Sequence, residues 1–150
     1  MSARPVFGIE GALVDHAPMT IKALTPDDQR SREISVAGPA ALLVAKAHKL
    51  AERMGQPPQR RRPRDAHDVF RLLREVEPDV FAAGFARMRS SELTAQVAAE
   101  GLRLFDDLFR EADRAGAQQA AETVAPLVED PRVVAVHCAA LAREVLAAAA

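Results

Sequence analysis

Two spacings of apolar residues divide the chain. Up to residue 36 the apolar positions come in short, partly β-branched runs: FGIEGALVD (7–15), MTIKAL (19–24) and REISV (32–36). Runs of this kind between turn-forming residues predict strands. Asp15-His16-Ala17-Pro18 reads as the turn between the first two, and TPDDQRS (25–31) as the loop before the third. Residues 1–37 are therefore expected to form a three-stranded β-meander. Three short strands make a poor sheet alone, and an open strand edge invites pairing.

From Gly38 onward the spacing becomes helical. Gly38-Pro39 opens a first helix, AALLVAKAHKLAERMG, which stops near Gly55. QPPQRRRP (56–63) is an irregular loop, because its three prolines and its charge run suit neither helix nor strand. RDAHDVFRLLREVEP is the second helix, ended by Pro78, and DVFAAGFARM a short third. SSELTAQVAAEGLRLFDDLFREADRAG (90–116) reads as one long amphipathic helix, with Leu93, Val97, Leu104, Phe105, Leu108 and Phe109 on its apolar face. QQAAETVAPLVE (118–129) is the fifth. Asp130-Pro131 starts the last, with Asp130 as N-cap and a fraying Ala tail. The expected fold is α+β and predominantly α: a partial β-region over 1–37, then a helical bundle over 38–150.

Composition adds limits. A length of 150 residues suits one domain with a real core. Six Phe and no Trp or Tyr leave that core to Leu, Val and Ala, which lets helices approach closely. The single Cys138 lies in an apolar helical pattern, as a small core residue of a protein from a reducing compartment. No run is long and apolar enough to span a membrane, and no secretory leader opens the chain, so a cytoplasmic location is expected. Charge is uneven: residues 46–64 hold seven Lys/Arg against one acid, while 65–150 hold fifteen acids against nine bases. Such asymmetry fits either an anion or nucleic-acid contact, or two regions that neutralise each other across a packed interface.

The two regions meet at the first helix pair. Lys46, Lys49 and Arg53 share one face at i, i+3 and i+7, beside Leu42, Leu43 and Leu50. On the second helix Val69, Leu72, Leu73 and Val76 form the core stripe, with Asp65 on it and Asp68 at its margin. An antiparallel pairing brings Lys46, Lys49, Arg53, Arg64, Asp65 and Asp68 into a partly buried cluster. Arg64 and Asp68, four apart, are also able to pair within their own helix. By spacing alone the cluster is either a set of ion pairs that fixes helix register or a polar site. His16, His48, His67 and His137 lack the spacing of a zinc site, and no Gly-rich phosphate loop, GxSxG or HExxH is present. Glu10 and Asp15 bracket the first run, either as solvated strand ends or facing a metal.

VAGPAALLVAKAHKLAER (36–53) followed by RPRDAHDVFRLL (62–73) resembles the second half of AbiEii-type nucleotidyltransferase-like proteins, relatives of abortive-infection toxins, especially actinobacterial ones. The resemblance is best over 35–75; GIEGALVD and MTIKAL fit the last strands of that family's catalytic half, and the helices after 78 match only in type. It implies a nucleotidyltransferase α/β core followed by a helical bundle. It also implies phosphate contact by Lys46, a further phosphate or structural contact at Arg53, and a polar motif of Arg64, Asp65 and Asp68. Lys49 joins the phosphate-facing cations by position.

The family's first half carries a Gly-Ser motif and paired strand acids that bind a divalent metal, and neither occurs here. Asp27-Asp28 lies in a predicted loop and Asp106-Asp107 in a predicted helix. The expectation is the C-terminal portion of such a protein, a shortened or upstream-truncated gene product. It would be catalytically incomplete alone, with no cofactor of its own and Mg²⁺ only if a complete site is assembled. The expected ligand is a nucleoside triphosphate held by Lys46, Lys49, Arg53 and Arg64. Two alternatives stay open. One is a non-enzymatic module that pairs with a second copy or a protein partner through its strand edge. The other is RNA or DNA binding through RRRPR (60–64), which has no aromatic stacking residues beside it.

Overall fold

A computed structural model describes residues 7–56, 63–124 and 130–150. Two strands, β1 (His16–Lys22) and β2 (Ser31–Ala37), form an antiparallel hairpin in which Met19 faces Ile34 and Thr20 faces Glu33. Among the described residues six helices follow: α1 (Pro39–Met54), α2 (Pro63–Glu75), α3 (Pro78–Arg89), α4 (Ala95–Phe109), α5 (Ala115–Val124) and α6 (Pro131–Ala148). The fold is α+β and mostly α.

The first apolar run is not the strand its composition predicts. It folds as a 3₁₀ turn, Glu10–Leu13. Gly8 at φ +90° breaks the extended path, and the Glu10 carboxylate accepts its N–H at 2.8 Å. Gly11 is pressed onto the helices, with Met88 Sδ 2.8 Å from where a Cβ would stand. The run therefore packs on the helices through Gly11, beside Met88 and Ala41, and leaves Phe7, Ile9 and Leu13 exposed. His16, Ala17 and Pro18, read as a turn, belong to β1. A two-stranded ribbon has an open edge beside each strand, and there a proline is tolerated.

Strand alternation gives the ribbon two unlike faces. Ala17, Met19 and Ile21 share one with Ile34 and Val36; Thr20 and Lys22 share the other with Glu33 and Ser35. Every residue of β1 is exposed.

The core belongs to the helices. α1 lies at its centre and contributes Ala40, Ala41, Leu43, Val44, Ala47 and Leu50, packing on α2, α3 and α4. Small residues bring it close to α4: a Cβ on Gly101 would stand 2.7 Å from Val44 Cγ1. α2 packs on α5 and α6, where buried Phe70 meets the His137 ring edge-on at 5.7 Å. Cys138 is buried, and loss of solvent pushes its thiol up to about 12.

The long helix expected over 90–116 is shorter at both ends. Thr94, fully buried, donates to the Met88 carbonyl at 2.7 Å and closes the α3–α4 turn. Leu93 lies in that turn and is 77% exposed, so it leaves the predicted stripe, while Phe105, Leu108 and Phe109 stay in the core. Of the fifth expected helix, residues 125–129 lie outside the described residues. Asp130 caps α6 as read, accepting the Arg132 N–H at 2.9 Å. The Ala tail does not fray: Ala149 is buried, and its carbonyl accepts from Arg89 Nη1 at 2.5 Å. Among the described residues no helix is long and apolar enough to cross a membrane.

Candidate functional site

The first turn of α2 carries Asp65, which the apolar stripe of the helix turns inward to 5% exposure. A carboxylate there gains from the unpaired N–H groups of the helix start, but burial demands more. α1 supplies it. Lys49 Nζ donates to Asp65 Oδ1 at 2.9 Å, Lys46 Nζ reaches the same oxygen at 3.3 Å, and Arg53 Nη1 faces Asp65 Oδ2. One turn further along α2, Asp68 Oδ2 accepts from Lys46 Nζ at 2.6 Å. Early α2 thus meets late α1, so the helices run antiparallel, as the spacing predicts. Among the described residues, three cations face these two carboxylates.

The members differ in exposure. The side chains of Asp65 and Arg53 are 7% and 20% exposed, and together they form the interior of the cluster. Lys49 is 44% exposed and Asp68 37%; Lys46, at 24%, joins the buried acid to the exposed one. Lys46 and Asp68 also line an open groove of about 290 Å³ between α1 and α2, with Leu42, Arg71, Leu72 and Glu75 as its other walls. The groove sets two apolar walls beside alternating cations and acids.

Not every expected residue joins the cluster. Arg64 is exposed at the start of α2, and among the described residues it makes no ion pair; Asp68 pairs across the interface with Lys46 instead. Residues 60–62 of the basic run lie outside the described residues. His48 Nε2 lies 3.3 Å from the Val97 carbonyl and ties α1 to α4. His67 Nδ1 is buried without a partner among the described residues. No three His, Cys, Asp or Glu side chains among the described residues gather where a metal ion would be held. The donor chemistry points the same way, because both carboxylates of the cluster already neutralise ammonium or guanidinium groups. As paired here, Asp65 and Asp68 do not offer the free carboxylates that a Mg²⁺ ion would need.

Two features escaped the sequence reading. Arg71 and Glu75 line the groove, and the signal was available: 68, 71, 72 and 75 recur at helical spacing on one face. Asp15 is neither a solvated strand end nor part of a metal cluster. It is 1% exposed, accepts the Ala41 N–H at 2.9 Å and pairs with Arg87 Nη2 at 2.6 Å. Gly38, the N-cap of α1, has no side chain to cap with, and Asp15 does it from outside the helix. An uncapped helix start was the clue.

One family, described as nucleotidyl transferase AbiEii toxin, type IV TA system, has a family model that matches residues 5–140. No curated protein and no solved structure matches the chain.

Proposed function

We propose, from the premise that this chain belongs to the AbiEii nucleotidyl transferase toxin family, that the α1–α2 cluster is the phosphate-facing wall of a nucleotide site. The observation that carries the reading is the placement of Lys46. Lys46 lines the α1–α2 groove, and its ammonium is also paired with buried Asp65, which does not line the groove. A cation so held meets an anionic ligand without first having to be ordered, which is how fixed charges stabilise phosphate groups. Lys46 and the more exposed Lys49 make the phosphate contacts, with Arg64 at the rim. Arg53 is the structural member, because its guanidinium is turned toward Asp65. Leu42 and Leu72 offer apolar surface to the rest of the ligand.

The chain by itself does not transfer a nucleotidyl group. Asp65 and Asp68 are held by cations, so a Mg²⁺-dependent reaction needs carboxylates from outside this cluster. The experiment is a titration of ATP, GTP, CTP and UTP with Mg²⁺, read by calorimetry or NMR. Lys46→Ala should weaken binding by about tenfold or more, the worth of one charge-assisted contact. No binding to the wild type, or unchanged binding in the variant, would sink the ligand assignment. Transferase activity in the purified 150-residue chain would sink the incompleteness.

A second reading rests on the hairpin. Its open edges and the apolar face of Ala17, Met19, Ile21, Ile34 and Val36 suit pairing with a second copy or a protein partner. The family's assignment to a type IV toxin–antitoxin system makes a protein partner a natural part of the picture.

A further inference from the structure

The cluster holds two carboxylates three residues apart in unequal circumstances. Asp65 is buried and met by Lys46, Lys49 and Arg53. Asp68 has its side chain 37% exposed, on the groove, and meets Lys46 at 2.6 Å. An ion pair with one end in water is worth little and is readily exchanged, whereas a buried carboxylate with three cationic partners is not. Any phosphate that approaches Lys46 through the groove meets the ammonium on the side where Asp68 already sits. Lys46 already meets two carboxylates, so a phosphate there would be a third anion on one ammonium, and the half-exposed Asp68 is the one that water can take up as it leaves.

We propose that Asp68 is a displaceable internal anion, which occupies Lys46 when no ligand is bound and yields it to a ligand phosphate. This rests on the phosphate-facing reading of the cluster and assigns its acids separate duties. Asp65 positions the lysines. Asp68 sets how strong an anion must be to take Lys46: a multiply charged phosphate chain displaces it, and a weak monoanion does not. Exchange leaves Lys46 anchored by Asp65 throughout, so the site does not have to reorganise.

The test uses tripolyphosphate as the probe, titrated into the full chain without metal. Asp68→Asn keeps the side-chain shape and removes the competing charge. It should tighten binding about three- to tenfold, the range set by releasing a half-exposed ion pair. Asp107→Asn is the control, since Asp107 loses the same charge from an exposed ion pair, with Arg103 on α4, and does not line the groove. Its effect should be less than twofold. Equal tightening in both variants would reduce the effect to general electrostatics and overturn the proposal. If the wild type binds and Asp68→Asn binds equally or more weakly, the proposal fails while the phosphate reading stands. If neither binds, both fail; if only Asp68→Asn binds, the proposal holds. Carbon-13 shifts of the wild-type carboxyl groups give a readout independent of any variant's folding. On adding tripolyphosphate the Asp68 carboxyl resonance should move and that of Asp65 should not; movement of neither, or of both alike, would overturn the proposal.

Discussion

Asp65 shows how position alone decides what a carboxylate does. It sits in the same first turns of α2 as Asp68, yet it is nearly enclosed and carries three cations, while Asp68 carries Lys46 at the groove. Removing a buried partner leaves charges that water cannot reach, and that is where the large energies lie. Asp65→Ala should cost about 3–5 kcal/mol of stability, because Arg53 and the lysines lose the group that holds them. Asp68→Ala should cost less than about 1 kcal/mol, the scale of a half-exposed pair. Urea denaturation of the two variants measures both quantities. Equal costs would mean that the two acids share one structural task, and the division between anchor and exchangeable anion would lose its basis. Arg53 follows the same logic from the other side: it is largely buried against Asp65, so its removal should also be costly.

At the scale of elements, α1 is the part on which the others are assembled, and its closest neighbour is α4. Gly101 lets the two helices touch: a Cβ there would meet Val44 Cγ1 at 2.7 Å and Cγ2 at 3.0 Å. Val44 is fully buried and β-branched, so it has little room to turn aside. Gly101→Ala gains up to about 1 kcal/mol of helix propensity but forces an overpacked contact of about 1–3 kcal/mol. The expected result is a net loss of about 1–2 kcal/mol, partly recovered by Val44→Ala in the double variant. A neutral or stabilising Gly101→Ala would show that α1 and α4 separate at little cost. Two helix starts were legible because prolines mark them, Pro39 and Pro131; Pro63, read as loop, and Pro78, read as the end of the second helix, also stand first in a helix, where a missing N–H costs nothing. The ion cluster was legible because helical spacing put its members on facing sides of two adjacent helices. The first apolar run was not, since its residues suit a strand and only contact with Met88 and Ala41 makes it a turn. Nor was the Asp15 cap, which reaches Ala41 from 26 residues away, where local spacing carries no signal.

Across the whole molecule, apolar surface is distributed unevenly. The helices bury most of theirs, leaving Leu42, Val80, Val133 and Val136 exposed, whereas Phe7, Ile9, Leu13, Met19, Ile21, Leu24 and Ile34 are all exposed in the much shorter N-terminal segment. Scattered apolar residues on a surface need no explanation, but a concentration on one amphipathic ribbon does. A two-stranded sheet is marginal in water, and among the described residues this one leaves both outer edges unpaired and a mostly apolar face, with Arg32 at one end, largely exposed. Met19 and Ile34 are cross-strand partners at the middle of that face. If the ribbon docks on a second copy, the wild type should show a mass that rises with concentration in light scattering. Met19→Thr with Ile34→Thr should then remove the rise, because threonine has the β-branched shape that strands favour while taking away apolar area. Helical content should not change, since neither side chain belongs to the helical core. A wild type that stays strictly monomeric at high concentration would count against self-pairing. It would leave the apolar face to a different protein partner, and the same two substitutions would then be the ones to disrupt that complex.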